Sequence, residues 1–153
     1  MHVALFQPEI PPNTGNIGRT CVSTDTRLHL IKPLGFSLRD RDLKRAGLDY
    51  WPHLRLSVWE SWQDFTRGPG QKHPLVLTSS NFSPSLYSYS FSGEEILVFG
   101  PEAEGLPGWL LEQSPGDRIR VPVWGSVRSL NLATAVSVCL FEAYRQTSDL
   151  TRL

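Results

Sequence analysis

Three stretches of the chain combine residue types that packing alone does not call for, and each lies where a strand would hand over to a helix. Residues 8–19 (PEIPPNTGNIGR) join three prolines, which force a rigid extended approach, to an Asn-Thr-Gly-Asn turn that delivers the chain into a helix carrying Arg19 about one turn in. A helix N-terminus beside an arginine suits an anion, because free backbone N–H groups and the guanidinium fork both match a phosphate. A plain strand-to-helix turn with a surface arginine accounts for the same residues. Residues 96–108 (ILVFGPEAEGLPG) read as a buried strand ending in a loop with Glu102 and Glu104. Gly100 and Gly105 would let the backbone approach a ligand closely, as an adenine or ribose requires, or they would only satisfy turn geometry. Residues 118–131 (RIRVPVWGSVRSLN) repeat the design: a strand ending at Pro122, a loop through Gly125 and Arg128, then Ser129 or Asn131 as the N-cap of a long helix. Two such loops can face each other across one crevice.

What the chain lacks narrows the chemistry further. It has no GxGxxG and no Walker A sequence, so neither common phosphate-cradling loop is present, and it has no HExxH or GxSxG. Its four histidines, at positions 2, 29, 53 and 73, stand apart from one another and from spaced carboxylates. Cys21 and Cys139 are separated by most of the chain, which fits two small buried hydrophobes in helices better than a disulfide framework or a zinc site.

The elements that would position these stretches are legible as short apolar runs at residues 3–6, 28–31, 54–58, 75–77, 96–99 and 119–123. They are rich in Val, Ile and Leu and do not alternate with polar residues, the pattern of parallel strands covered on both faces. Helices are expected between them at 17–23 (capped by Asn13 or Thr14), 39–46 (ended by Gly47), 59–66, and after Pro107. The clearest helix is 131–146, where Leu132, Ala135, Val136, Cys139, Leu140 and Ala143 form one apolar stripe. The fold class is therefore α/β, a mostly parallel sheet flanked by helices, in one domain over residues 1–153, with 68–74 (GPGQKHP) as the best candidate linker.

Composition agrees with a globular domain. Hydrophobic residues make up 40% of the chain and 15 Lys and Arg balance 15 Asp and Glu, which excludes disorder for most of it and argues against a protein held to nucleic acid by bulk charge. Gln7, Pro8 and Glu9 break the N-terminal apolar run, and no run approaches a membrane span, so a cytoplasmic location is expected.

PEIPPNTGNIGR, the Arg-Ala-Gly-Leu-Asp-Tyr stretch at 45–50, GPEAEGLP and RVPVWGSVRSLNLATAVSV together resemble the TrmL-like tRNA (cytidine/uridine-2'-O-)methyltransferases of the SPOUT superfamily, in order and over almost the whole chain. That resemblance implies an α/β fold whose C-terminal part is threaded into a deep trefoil knot. It implies S-adenosyl-L-methionine bound through backbone groups at Leu77, Gly100, Val121 and Ser129, and a homodimer with residues of both subunits near the site. The implied substrate is the ribose of the wobble nucleotide in the tRNA anticodon loop, with neither metal nor membrane involved. Arg19 is the implied essential residue. A guanidinium, with a pKa of about 12.5 or higher, is better suited to holding a phosphate or an oxyanion than to acting as a base. Asn131 is the implied catalytic partner, and Glu102 a further candidate for orienting the site. The chain departs from many relatives at Phe141, where they carry Tyr before the Glu-Ala pair. Methylation of ribosomal RNA, or a knotted dimer binding cofactor or RNA without turnover, are the competing readings.

Divided along the chain, the neutral total changes meaning. Residues 1–60 hold 8 basic and 6 acidic groups, 61–116 hold 2 and 6, and 117–153 hold 5 and 3. Basic ends surround an acidic middle. Arg39, Arg41, Lys44 and Arg45 near one end and Arg118, Arg120 and Arg128 near the other could form a local RNA-binding surface on a neutral protein.

Overall fold

The computed structural model describes residues 1–38, 49–82 and 84–147. Six parallel strands form one sheet: β1 (His2–Phe6), β2 (Arg27–Ile31), β3 (Leu56–Trp59), β4 (Leu75–Thr78), β5 (Ile96–Phe99) and β6 (Asp117–Ile119). Their order across the sheet is β3-β2-β1-β5-β4-β6. The direction of winding reverses between β1 and β5, the position beyond whose carboxyl ends open parallel sheets bind ligands.

Both faces are covered, as the unbroken apolar runs require. Val3, Leu5, Leu97 and Phe99 point into one core with α1 (Pro11–Ser23) and α4 (Leu132–Thr147). Ala4, Phe6, Ile96 and Val98 point into the other with α2 (Trp62–Arg67) and α3 (Gly108–Gln113). The stripe on α4 belongs to the core: Val136, Cys139, Leu140 and Ala143 are buried, joined by Ala133. Cys21 and Cys139 are both buried, free and helical, and burial pushes each thiol up to about 12. Among the described residues no helix is long and apolar enough to cross a membrane.

Several boundaries differ from the sequence reading, each for a local reason. Helix α1 begins at Pro11, with Ile10 as a cap residue that makes no side-chain bond, so Asn13 and Thr14 lie inside the helix. Pro11 and Pro12 have no N–H to satisfy, which suits them to a first turn. Trp59 ends β3; the helix starts after Ser61, whose Oγ accepts from the Asp64 N–H at 3.1 Å. Strand β3 starts at Leu56, because Leu54 serves as the C-terminal cap of a 3-10 turn over Trp51–His53. Strand β6 ends at Ile119 and not at Val123; Arg120 makes only an isolated bridge to Ser85, and Pro122 has no donor to extend a ladder. Residues 68–74 hold a second 3-10 turn, Pro69–Gln71, and run straight into β4. The helix expected at 39–46, with Gly47 and the basic cluster Arg39, Arg41, Lys44 and Arg45, lies outside the described residues.

Candidate functional site

The loops beyond the carboxyl ends of β1, β5, β4 and β6 enclose a cavity of about 330 Å³. Ile10 and Asn13 reach it from the β1 side, Thr78 to Asn81 from β4, Phe99 to Gly105 from β5, and Val121, Val123 and residues 128–132 from the segment after β6. Four consecutive strands of the sheet therefore contribute, and all three chemically suggestive stretches meet at one place.

Hydrogen bonds between those stretches fix the walls. The Glu102 carboxylate accepts from the backbone N–H groups of Glu9 at 2.8 Å and Ile10 at 3.2 Å, and from the Asn13 amide at 3.0 Å. In return the Ala103 N–H donates to the Glu9 carboxylate at 2.9 Å. A negative group at this end of α1 also complements the helix dipole. Asn13 extends the network: its Oδ1 accepts from Asn131 Nδ2 at 2.9 Å, while Asn131 Oδ1 accepts from the N–H groups of Ala133 at 2.9 Å and Thr134 at 3.3 Å, capping α4. Arg128 closes the ring by donating to the Ala103 carbonyl at 3.0 Å. Residues from 25 to 118 apart in sequence thus hold the starts of two helices and one loop in register.

Gly100 is required by close approach. A Cβ there would lie 2.2 Å from the carbonyl carbon of Gly105 and 2.3 Å from the nitrogen of Leu106, because the loop folds back over the end of β5. Gly105 adopts φ +73°, a left-handed conformation that glycine reaches without penalty. The two glycines shape the turn itself, and the turn then presents residues 100–105 to the cavity.

Of the residues singled out from sequence, Gly100, Val121, Ser129, Asn131 and Glu102 all line this cavity. Leu77 does not; it is fully buried in the sheet core, and the next residue, Thr78, reaches the cavity. Arg19 is also outside the lining, exposed on α1. Its Nη2 lies 3.4 Å from Asp49 Oδ1, and its guanidinium sits over the Tyr50 ring at 5.0 Å. Burial raises the Tyr50 pKa against the opposing pull of Arg19.

Sequence reasoning missed Asn13 as a bridge, having read it as a turn and cap residue, and it missed Ser79 to Asn81. The latter had a usable signal, since they follow a buried apolar run just as Gly100 does. Asn13 had none, because its partners are far away in sequence.

A parallel α/β sheet with its ligand cavity at a winding reversal, walled by glycine-rich and Ser-Leu-Asn loops, defines a nucleotide-type binding domain. Its family follows from comparison. Residues 1–141 match the SpoU rRNA Methylase family model, and the chain belongs to that family. It is 46% identical over 145 residues, 94% of each chain, to a tRNA (cytidine(34)-2'-O)-methyltransferase of Methylovorus glucosotrophus (strain SIP3-4). A solved structure concerned with 2-OH methylation of C/U34 on tRNA superposes with a TM-score of 0.90 at 46% identity, covering 95% of this chain and 94% of that one. An rRNA methyltransferase from Sinorhizobium meliloti with AdoMet bound gives 0.84 at 28% identity, covering 94% of this chain and 55% of that one.

Proposed function

We propose that the protein is an enzyme that methylates the ribose 2'-hydroxyl of the wobble nucleotide of tRNA, cytidine or uridine at position 34, using S-adenosyl-L-methionine. The observation that carries this is the meeting of the three motif stretches around one cavity at the winding reversal, in a chain that is similar end to end to enzymes of that activity.

The residues present fit the cofactor. The cavity is within the usual range for a small-molecule site, and its walls combine apolar side chains, Phe99, Val121, Val123 and Leu132, with the exposed polar backbone of two loops. Gly100, Val121 and Ser129 would hold it, together with backbone at the end of β4 next to Leu77. When bound, S-adenosyl-L-methionine supplies a methyl group on a positively charged sulfur. Transfer of that methyl to the ribose oxygen would release the neutral thioether, with the hydroxyl proton passing to a base or to water. Arg19 serves as the anion holder that places the RNA backbone or the developing oxyanion. Asn131, tied to Asn13 and to the start of α4, keeps the Ser129 loop in place. No metal is needed for such a displacement.

The C-terminal part is threaded as a trefoil knot. In support, β6 lies at the sheet edge, yet the chain after it returns past the β4 and β5 loops to reach Asn13 beside β1. The enzyme works as a homodimer in which residues of both subunits meet near the site, a reading supported by the position of Arg19 outside the cavity of its own chain. It works in the cytoplasm, where tRNA is its partner, and no membrane is involved.

The test is incubation of the protein with labelled S-adenosyl-L-methionine and tRNA lacking the modification, followed by mass spectrometry of nucleosides. One ribose methyl at position 34 is expected. No transfer to any tRNA despite intact cofactor binding would sink the proposal, and a methyl on ribosomal RNA instead would replace it with the rRNA reading.

A further inference from the structure

The stretch at 45–50 has no part in the site so far, and its last two residues, Asp49 and Tyr50, stand directly against Arg19. Tyr50 is 7% exposed, and its hydroxyl donates to the Gly15 carbonyl, one turn before Arg19 on α1. Gly18 completes the contact. A Cβ there would lie 3.5 Å from the Tyr50 ring, 3.4 Å from Trp51 and 3.2 Å from Leu54, so this face of α1 is laid directly on the aromatic pair. The guanidinium carbon of Arg19 sits 5.0 Å from the Tyr50 ring centroid, within cation–π range, although the arginine side chain as a whole is 61% exposed.

We infer that Tyr50 is a positioning residue for Arg19: its ring, locked by the hydroxyl bond to Gly15, is the floor on which the guanidinium rests so that its N–H edge faces outward. A long side chain on a solvent-facing helix position otherwise samples many rotamers, and ordering it beforehand removes that entropy from the RNA encounter. Asp49 meets the edge at 3.4 Å and is itself 82% exposed, so it is an acceptor that a phosphate displaces readily. The inference rests on the proposed role of Arg19 in ribose methylation.

The experiment compares R19A, Y50F and Y50L for kcat, KM for tRNA, cofactor binding and thermal midpoint, and follows the side-chain NMR signals of Arg19. In the wild type those signals should be displaced by the ring current of Tyr50 and return to ordinary positions in Y50L. R19A should abolish turnover. Y50L should lower kcat about 10- to 100-fold, the scale of a misplaced catalytic group, with cofactor binding within about two-fold of wild type. Y50F, which keeps the floor and loses the lock, should retain most of the activity. Ordinary Arg19 signals in the wild-type protein would overturn the inference without any variant, which covers the case of Y50L failing to fold. Equal losses in Y50F and Y50L would overturn it too, by assigning the effect to helix packing. Activity of Y50L near wild type beside a dead R19A would overturn the positioning role alone, whereas an active R19A would remove the reading on which it rests.

Discussion

The two ends of the sheet use similar residue types to opposite effect. At the amino end, the Met1 ammonium donates to the Gly93 carbonyl at 2.7 Å, and Glu95, 3% exposed, accepts from the Ser92 N–H and Oγ and from the Gly93 N–H. Burial pushes that carboxyl up, but the bonds from Ser92 and Gly93 outweigh it and hold the pKa below the usual range. Three histidines lie beside this end, the His2 ring tilted against that of His73 with centroids 4.5 Å apart. Trp59 donates to His29 Nδ1 at 3.1 Å, so the neutral His29 carries its proton on Nε2 and donates to His2 Nδ1, also at 3.1 Å. His73 Nδ1 in turn donates to the Glu94 carbonyl at 3.0 Å. Polar groups here consume one another. At the carboxyl end, Glu102, Asn13 and Asn131 spend their bonds on holding loops apart, and a cavity of about 330 Å³ stays between them. Perturbed titratable groups often mark functional sites. Here His2, His29 and Glu95 gather at the amino end, and it is loop backbone around a cavity that marks the other.

The comparison breaks most severely at Gly100. Gly100→Ala places a methyl 2.2 Å from backbone that cannot yield without moving the β5 loop. Cofactor binding by calorimetry should disappear, with stability falling by more than about 3 kcal/mol. An alanine variant that binds cofactor normally would mean that the loop is not the wall described.

Acid should break the opposite end. His2 is held down to about 4 and His29 to about 3, in both cases by burial first, with a charge on the neighbouring histidine adding to it. The unfolded chain therefore binds more protons than the native one from about pH 6.5 down to about 3, and stability present above that window is withdrawn as the pH falls through it. For His29, 2% exposed, the loss is on the order of 4 kcal/mol across the window. Urea midpoints at pH 7, 5.5 and 4 should fall steadily, and His29→Leu should flatten the trend. An unchanged slope in that variant would place the acid sensitivity elsewhere.

This asymmetry also separates what the sequence could convey from what it could not. Strands covered on both faces leave a local signature, so all six were legible from runs such as 96–99, and the loops beyond Phe99 and Ile119 could be placed at one end of the sheet. Helix starts were read less well where the cap comes from afar. Residues 10–14 offer Asn13 and Thr14 as local cap choices, but the carboxylate that sets the start of α1 is Glu102. The histidine cluster was invisible for the same reason: His2, His29 and His73 are dispersed in sequence and meet only through parallel registers such as His2 with Arg27 and Ala4 with His29. Positions 45–50 carried a recognisable motif, yet only the packing of Tyr50 under Arg19 gives it a physical task.

Glu102→Ala sharpens the comparison by a smaller amount. It leaves the Glu9 and Ile10 N–H groups and the Asn13 amide without their acceptor, at about 1–2 kcal/mol. Because Asn13 then loses one of its two tethers to the network that includes Asn131, cofactor affinity should fall several-fold while the acid transition at the other end keeps its midpoint. Loss of stability with unaltered affinity would mean that the network supports the helix and not the cavity.

The smallest effect should come from His73→Ala. The substitution removes a bond to the Glu94 carbonyl and a ring contact with His2, both at the half-buried margin of the amino end. It also removes a positive charge that depresses the His2 pKa, so His2 should titrate closer to its ordinary value, and the acid loss should become slightly shallower. Turnover at pH 7.5 should be unchanged, since no part of the residue approaches the cavity. A His73→Ala protein with normal stability but impaired methylation would contradict the division of labour between the two ends of the sheet, because a group packed at the amino end would then be acting on the cavity at the other.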